Sequence, residues 1–361
     1  MKILHIHTQL VSGGIEAVVC GLANETSKHE DVSVCTIFQP TDDDVFYKRL
    51  QSSVHKFDCG KSEKGFSLRE IFKICRLIWK GKYDVVHLHG AFQYYFLSVL
   101  LWHRKVKFFY TIHSDAAMEN MSTTSLLRPF KAFCFRKGWV RPVTISPASR
   151  LSFHKLYGCD SALIPNGVSA PVLDATNKVV SKYRLTPYTK VFVHPARIST
   201  AKNQLVLCQA FRDLISEGHD VVLLIAGTSE EKELFEQLKP YFCDRIVYLG
   251  ERRDVIDLLA QSDAFCLPSL WEGLPVSLLE ALSVSCVPIC SPVGGIVDVI
   301  RDGVNGLLSQ SSSLEDYKFA LKRFLQFDER QIVGLKHHCQ QSFVPYSIDT
   351  CCNSYLIEYN K

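Results

Sequence analysis

The sequence lacks the marks of several large protein classes. None of its 14 cysteines forms a CxxC pair, and Cys351 and Cys352 are adjacent, too close for an ordinary disulfide framework. The longest apolar run, near residues 91–102, contains Gln93 and is too short for a membrane span. The first residues, MKILHIHT, have a strand pattern and not that of a signal peptide. We therefore expect a protein of the reducing cytoplasm.

Excess charge, sequence repeats and common cofactor motifs are also missing. The formal net charge is only +4, so the total does not indicate a nucleic-acid partner. There is no short-period repeat, no GxGxxG fingerprint and no HExxH motif. A hydrophobic content of 47% and a length of 361 residues are ordinary for a globular enzyme with two domains.

Short β-rich runs alternate with longer helical patterns along most of the chain, which is typical of parallel sheets with crossover helices. Residues 169–187 interrupt this alternation as a linker with one short helix, and the pattern restarts near residue 190. We therefore predict an α/β protein with two Rossmann-like domains facing each other across a cleft, the default ligand site. The predicted domains are 1–168, onto which helix 345–361 packs back, and 169–344.

Two carboxylates, Glu272 and Glu280, bracket the segment WEGLPVSLLEAL at 271–282. A helix from about Pro275 would place Glu272 in the loop at its N-terminus, where free N–H groups and the helix dipole favour anions and hydroxyl oxygens. The two acids could then hold a polyhydroxylated ligand at two places. The alternative is an ordinary amphipathic helix with a solvated acid.

Cations and glycines follow other predicted strands. Arg197 and Lys202 flank the start of a helix in ARISTAKN, an arrangement suited to a diphosphate, although a solvated pair is the alternative. Gly13 and Gly14 open the first helix, where they indicate either a phosphate contact or a tight turn. Gly294-Gly295 lies at a later strand-to-helix turn and favours close backbone approach or positive φ.

Histidines recur at the ends of predicted strands in the first half. His7, His89 and His113 lie at or near carboxyl ends, which border the binding crevice of a parallel sheet. They indicate hydrogen bonding to a sugar or phosphate, with a zinc site as a weaker alternative because no local ligand spacing supports it. His5 and His87 are better interpreted as hydrogen-bonded core histidines.

Positive charge is concentrated between residues 61 and 141, which hold 15 Lys and Arg residues against five acids. Within this region, LLRPFKAFCFRKGWVR at 126–141 mixes cations with four aromatic rings. The composition is typical of an interfacial helix on an anionic membrane, while a buried helix with a charged flank is the alternative.

Five motifs in order on this pattern resemble the retaining glycosyltransferases of the GT-B fold, in particular glycosyltransferase family 4. The motifs are GGIE at 13–16, HS at 113–114, IPNGV at 164–168, the R-x4-K of Arg197 and Lys202, and the E-x7-E of Glu272 and Glu280. The resemblance covers nearly the whole chain and is strongest at 190–310 and at GGIE.

The resemblance implies a role for each of these groups. Glu280 would hydrogen bond the ribose of a nucleotide, Arg197 and Lys202 would neutralise the departing diphosphate, and His113 would lie near the sugar. The other implied donor contacts are Glu272 with Gly273, Leu274 and Pro275 at the sugar, Gly13 and Gly14 at the phosphates, and Gly250 and Arg252 at the base. Neither a metal nor another cofactor is implied.

The activity implied is transfer, with retention, from a UDP- or GDP-sugar to a glycan or polyprenyl-linked acceptor. The acceptor would bind the basic N-terminal domain, at the inner face of the cytoplasmic membrane, during bacterial capsule, exopolysaccharide or O-antigen assembly. A nucleotide-sugar 2-epimerase and a non-catalytic carbohydrate-binding scaffold are the alternatives. The sequence departs from many relatives at WEGLP, which is shorter than EGFGLP, and at Ser114, and both changes bear on donor-sugar identity.

Overall fold

The computed structural model describes residues 1–63, 65, 67–121, 123–229 and 231–361, which divide into two compact units. The first comprises Met1–Ser169 and Tyr346–Lys361, and the second comprises Ala170–Pro345. The predicted boundaries, 168/169 and 344/345, each lie one residue away from these divisions.

The first unit is built on a seven-stranded parallel sheet with the order β3-β2-β1-β4-β5-β6-β7. The strand order reverses between β1 and β4, and the carboxyl ends of strands at such a point border a binding crevice in open α/β sheets. The strands are β1 (Lys2–His7), β2 (Asp31–Phe38), β3 (His55–Lys61), β4 (Val85–His89), β5 (Lys107–Ile112), β6 (Val140–Thr144) and β7 (Ala162–Leu163).

Helices cover this sheet, and its central strands are buried along nearly their whole length, as expected for parallel strands with helices on both faces. The helices are α1 (Gly14–Thr26), α2 (Val45–Arg49), α3 (Leu68–Gly81), α4 (Phe96–Trp102), α5 (Ala116–Met121), α6 (Arg128–Arg136) and α7 (Pro147–Tyr157). None of the described helices is both long and apolar enough to cross a bilayer.

The second unit repeats the design with six parallel strands in the order β10-β9-β8-β11-β12-β13. Its strand order reverses between β8 and β11. The strands are β8 (Lys190–Pro195), β9 (Val221–Ala226), β10 (Ile246–Tyr248), β11 (Ala264–Leu267), β12 (Val287–Cys290) and β13 (Leu307–Leu308). The helices are α8 (Gln204–Ser216), α9 (Lys232–Leu238), α10 (Val255–Gln261), α11 (Val276–Ser283), α12 (Ile296–Val299), α13 (Leu314–Leu325) and α14 (Glu329–Phe343).

The C-terminal helix α15 (Ile348–Asn360) belongs to the first unit. Its buried face joins a core cluster with residues of α1 and of four strands, and Val168 pairs with Ser347 just before the helix begins. The face consists of Ile348, Cys351, Cys352, Tyr355 and Tyr359. The chain therefore enters the second unit and returns to the first, as the sequence pattern predicted for 345–361.

Several local predictions were wrong. Strand β3 was missed because HKFDCGK is polar and lies at the sheet edge, where most of its side chains are exposed. The linker contains a 3-10 turn at Ser181–Tyr183 and no described α-helix. The sequence of the tail 314–361 predicts a helical segment with breaks near Gly334 and Pro345, but Gly334 lies inside α14, which begins with a capping box at Asp328.

Candidate functional site

An ion pair joins the loops that follow β8 and β11 in the second unit. Lys202 Nζ lies 2.5 Å from Glu272 Oε1, and the hydroxyl of Ser269 donates to the same carboxylate oxygen at 2.6 Å. Glu272 is largely buried, with its side chain 9% exposed. The structure thus brings together a predicted cation and a predicted acid that are 70 positions apart in the sequence, and it adds Ser269, which the sequence analysis missed.

Backbone contacts hold these two loops side by side. Leu270 N–H donates to the carbonyl of Ala201 at 2.8 Å. The side-chain amide of Asn203 donates to the carbonyls of Pro268 and Ser312, at 3.2 and 3.1 Å. Asn203 adopts a left-handed backbone conformation with φ of 55°, which asparagine tolerates better than most residues. This residue immediately follows Lys202 and thereby positions it.

Arg197 lies on the same loop, and a buried polar pair supports its backbone. The amide of Gln204 donates to the Arg197 carbonyl at 2.8 Å and to Nε2 of His194 at 3.1 Å. His194 Nδ1 in turn donates to the carbonyl of Cys266 at 2.8 Å. Burial lowers the pKa of His194 to about 4, so the ring stays neutral and can accept from Gln204. Neither residue was predicted from the sequence, since each resembles an ordinary core polar group.

A glycine lies directly against the loop that carries Glu272. Gly294 has φ of +54°, and a Cβ at this position would lie 2.0 Å from the carbonyl oxygen of Glu272. The next residue, Gly295, donates its N–H to the Gly273 carbonyl at 2.6 Å. The predicted close backbone approach and positive φ are thus confirmed at Gly294, whereas Gly295 has an ordinary φ of −73°.

The helix after this loop begins one residue later than predicted. Pro275 is the N-cap and Val276 the first residue of α11. The helix is buried on most sides, and Glu280 occupies a partly exposed position on it. Leu274 is also buried. The expected separation of the two acids is therefore present, with one in the loop and the other on the helix.

Gly250 and Arg252 lie beyond β10, also in the second unit. Gly250 has φ of +67°, and its carbonyl accepts from Gly227 N–H at 2.8 Å. Arg252 makes a bidentate contact with Asp254, at 2.8 and 2.6 Å. The guanidinium plane is therefore fixed by a neighbouring acid.

In the first unit, three histidine side chains form a hydrogen-bonded chain: His5 lies inside β1, His89 at the end of β4 and His113 just after β5. His5 Nδ1 lies 3.2 Å from His89 Nε2, and His89 Nδ1 lies 3.1 Å from His113 Nε2. Within the described part of the protein, the two terminal nitrogens, His5 Nε2 and His113 Nδ1, have no hydrogen-bond partner. The sequence placed His89 and His113 near one crevice and His5 in the core, but it could not show that the three rings touch.

His87 lies beside this chain with both of its nitrogens engaged. Nδ1 is 2.6 Å from the Tyr359 hydroxyl, and Nε2 is 2.7 Å from that of Thr111. The core interpretation is therefore confirmed for His87, whereas His5 is hydrogen bonded at only one nitrogen.

The zinc alternative was raised for His7, His89 and His113, but the described histidines that lie close enough together to share an ion are a different set. His5, His87 and His89 lie close enough to share an ion. All three are neutral ligands buried in the core, where a dication would have no compensating charge. The contacts made by His87 favour a hydrogen-bonded cluster.

The ends of these strands carry further contacts. His7 Nδ1 donates to the His89 carbonyl at 2.6 Å, and its Nε2 lies 3.5 Å from Glu16. Gly13 is extended, with φ of 177°, and a side chain there would collide with the Glu16 carboxylate. Neither Gly13 nor Gly14 has a φ in the left-handed region, so neither position needs glycine for its backbone conformation.

His113 is anchored through its backbone. Its N–H donates to Glu119 Oε2 at 2.9 Å. The other oxygen of Glu119 lies 4.0 Å from Lys131, whose ammonium group is buried over the ring of Tyr110. Burial lowers the pKa of Lys131, and the carboxylate of Glu119 opposes that shift.

Lys131 lies on α6, within the segment 126–141 that was predicted to be either an interfacial helix or a buried helix. Its burial supports the second interpretation. Phe135 is also buried and Phe130 packs against the core, so α6 is mainly structural. The exposed amphipathic surface of the basic region lies instead on α3. There Leu68, Phe72 and Trp79 are each about 60% exposed.

Because the buried histidines are neutral, acid is expected to reduce the stability of the folded protein. Burial lowers the pKa of His5 to about 3 and that of His87 and His89 well below its ordinary value of 6.5. Below pH 6.5 the unfolded chain therefore binds more protons than the folded protein does. The stability that these groups contribute is complete above that pH and is lost as pH falls towards about 3, by up to about 1.4 kcal/mol per pH unit and group.

Urea titrations between pH 7.5 and 5 measure this slope. Replacing His5 with glutamine should reduce the slope of unfolding free energy against pH by the contribution of about one proton. Replacing the exposed His29 with glutamine should leave the slope unchanged. An unaltered slope in His5→Gln would show that His5 is protonated in the folded protein.

Comparisons with known proteins agree with the architecture and with the motifs. The family model described as "Glycosyl transferases group 1" matches residues 178–333, and "Glycosyltransferase Family 4" matches residues 12–170. The chain is therefore a glycosyltransferase. It belongs to the glycosyltransferases that these two family models together describe, one model for each half of the chain.

A relative has a name of the same class, and solved structures share the fold. An Escherichia coli UDP-Gal:alpha-D-GlcNAc-diphosphoundecaprenol alpha-1,3-galactosyltransferase is 26% identical over 310 residues, which are 77% of this chain and 75% of that protein. A glycosyltransferase structure from Rickettsia africae matches with a TM-score of 0.81 at 17% identity, over 99% of this chain and 97% of its own.

A third match is the structure of HepE from Anabaena with UDP and glucose, with a TM-score of 0.79 at 17% identity, over 100% and 99% of the two chains. The two parallel α/β units together with these matches identify the fold as GT-B, as the sequence predicted.

Proposed function

We propose that this glycosyltransferase moves a sugar from a UDP- or GDP-sugar to a lipid-linked glycan acceptor, with retention at the anomeric carbon and without a divalent metal. The observation that carries the proposal is the cluster of Lys202, Glu272 and Ser269 at the carboxyl edge of the second sheet, with Arg197 on the same loop as Lys202. Cations and a hydroxyl-binding acid on adjacent loops are the groups that a sugar diphosphate requires.

Charge stabilisation is the main task in this reaction. As the bond between the anomeric carbon and the diphosphate breaks, negative charge grows on the leaving oxygen and the sugar becomes oxocarbenium-like. Arg197 and Lys202 are assigned to that charge, and the fixed loop geometry means that little reorganisation is needed when it develops. Lys202 would shift from Glu272 towards the diphosphate, while Glu272 would accept from a hydroxyl of the sugar.

The remaining donor contacts are proposed from the family motifs. Glu280 is assigned to the ribose, Gly250 and Arg252 to the base, and Gly273, Leu274 and Pro275 to the sugar. In the first unit, Gly13 and Gly14 are assigned to the phosphates and His113 to the sugar. Among the described residues no side chain caps the start of α11, which supports the assignment of the preceding loop, Gly273, Leu274 and Pro275, to anionic or hydroxyl oxygens.

The names of two relatives support a lipid-linked acceptor. The Escherichia coli protein described above acts on a diphosphoundecaprenol substrate, and so does a Campylobacter jejuni N-acetylgalactosaminyltransferase, 28% identical over 38% of this chain and 36% of its own. We therefore assign the chain to the assembly of a bacterial surface polysaccharide, with the acceptor bound by the basic first unit.

A screen of nucleotide sugars by thermal shift and calorimetry tests the donor assignment. A ligand at 100 times its dissociation constant should stabilise its unit by about 2.7 kcal/mol. Donor incubated with an undecaprenyl-linked acceptor in excess EDTA should yield nucleoside diphosphate and an α-linked product. An epimerised sugar formed from donor alone would indicate an epimerase, and failure to bind any nucleoside diphosphate would favour a non-catalytic scaffold.

Peripheral binding to an anionic membrane is proposed for α3. Successive residues of an α-helix are about 100° apart, so Leu68, Phe72 and Trp79 form one exposed apolar stripe. Arg69, Arg76 and Lys80 form an adjacent basic stripe, which is also exposed. A helix with apolar and cationic stripes side by side suits the interface of an anionic bilayer.

Vesicle co-sedimentation measures this association. The protein should bind vesicles of phosphatidylglycerol and phosphatidylcholine at low salt and be released by high salt, since each cation near the surface contributes about 1 kcal/mol. The double variant Phe72→Ser/Trp79→Ser should bind weakly. Phe319→Ser, which removes an equally exposed ring from the second unit, should bind normally. Equal binding by all three proteins would exclude α3.

A further inference from the structure

The histidine chain of the first unit restricts where its protons can lie. Each hydrogen bond between two imidazoles requires one N–H and one lone pair, and a neutral imidazole has only one of each. His5, His89 and His113 are joined by two such contacts, at 3.2 and 3.1 Å. The three rings therefore share one tautomer, with all protons either on Nδ1 or on Nε2.

Surrounding groups do not disturb this coupling. His7 uses its Nδ1 for the His89 carbonyl and faces Glu16, while His87 bonds two hydroxyl groups. Glu119 bonds the backbone N–H of His113 and lies near Lys131. Burial lowers the pKa of both terminal rings to about 3, so the chain is neutral at physiological pH.

The two tautomers differ in which end presents an unsatisfied N–H. With all protons on Nε2, the orphan donor is His5 Nε2, on a residue with no solvent exposure. With all protons on Nδ1, it is His113 Nδ1, an atom that is buried as well but belongs to a partly exposed residue just beyond the carboxyl end of β5. A donor buried without a partner is costly. At His113, an acceptor oxygen of a ligand can supply that partner.

We propose that His89, supported by His5, is a positioning residue that holds His113 in its Nδ1-protonated tautomer, so that His113 offers an N–H donor to an oxygen of the glycosyl donor. This assignment rests on the proposed function for the identity of the ligand. It makes His113 a neutral hydrogen-bond donor and not a general base. For ligand specificity this means that the group facing His113 Nδ1 must be a hydrogen-bond acceptor, such as a sugar hydroxyl or a phosphate oxygen.

Histidine tautomers can be read directly by nitrogen NMR on the full-length protein labelled with ¹⁵N-histidine. Signals are assigned by removing one histidine at a time. His5, His89 and His113 should each carry the proton on Nδ1 at pH 7.5. An Nε2-protonated His113 would overturn the proposal. This readout does not require turnover, so it stands even if no nucleotide sugar proves to be a substrate, a result that would defeat only the proposed function.

Kinetics of donor consumption provide the second test. His89→Leu should lower kcat/KM about ten- to a hundredfold, mainly through kcat. His89→Asn, whose side-chain amide can occupy the place of Nδ1, should recover most of the loss. His89→Leu combined with His113→Ala should be no slower than His113→Ala alone, because the first residue acts through the second. Additive losses would overturn the positioning role.

Folding is checked in the same variants. Each should bind nucleoside diphosphate in calorimetry as the unchanged protein does, and each should retain its far-ultraviolet circular dichroism. A His89→Leu protein that is folded and fully active would also overturn the proposal.

Discussion

Replacing Lys202 with alanine is expected to lower kcat/KM for donor consumption by roughly a hundredfold, equivalent to about 3 kcal/mol of transition-state stabilisation. Two effects act together. The departing diphosphate loses a fixed cation, and Glu272 loses the ammonium group that lies 2.5 Å away. Because the Glu272 side chain is only 9% exposed, its unpaired charge would also disturb the loop.

A double-variant cycle separates these two effects. Glu272→Gln removes the acid's charge and keeps its shape, so Lys202→Ala/Glu272→Gln should be more stable to urea than Lys202→Ala alone, yet no more active. Lys232→Ala removes an exposed lysine from the same unit and should behave as the unchanged protein. Normal kcat/KM in Lys202→Ala would remove this residue from the site.

Gly294→Ala is expected to reduce both stability and activity, although the residue is not assigned to any substrate contact. Its Cβ would lie 2.0 Å from the Glu272 carbonyl oxygen, and its φ of +54° disfavours any side chain. The clash is with backbone, which cannot rotate aside, so the acid's loop must move. Strain and overpacking together should cost roughly 2–5 kcal/mol, and a displacement near 1 Å should slow catalysis roughly a hundredfold.

Gly303 offers a matched control for this experiment. It also has a positive φ, of +73°, but a Cβ there would meet no atom within 4 Å. Gly303→Ala should therefore lose only about 1 kcal/mol from backbone strain and keep normal kinetics. Urea denaturation and initial rates on both variants measure the difference. If the two variants behave alike, contact with Glu272 is not the reason for the glycine.

Strands that are buried on both faces were predicted from the sequence, whereas the exposed edge strand was not. Strands such as VVLLIA at 221–226 are covered on both faces, so their sequences are continuous apolar runs that are easy to recognise. Strand β3 is an edge strand with a polar sequence and was missed. Gly334 was predicted to break a helix and does not, because the packing of α14 outweighs the modest cost of one glycine.

The site residues also divide into those that the sequence indicates and those that only the structure shows. The types and order of Arg197, Lys202, Glu272 and Glu280 are visible in the sequence, because diphosphate and sugar hydroxyls require cations and acids near helix starts. Ser269, Gln204 and His194 carry no such signal. They were missed because they act by holding other groups, and any core can contain a polar residue of these kinds.

The sequence by itself determined the class of this protein: two parallel α/β units, a C-terminal helix that returns to the first, and glycosyltransferase motifs in order. The two units follow from local periodicity, and the class follows from the resemblance of the ordered motifs to a known family. Only the tertiary structure decided that Lys202 pairs with Glu272, that Gly294 supports that acid's loop, and that His5, His89 and His113 form one chain. Such contacts join residues far apart in sequence, and their distances depend on how neighbouring strands are paired.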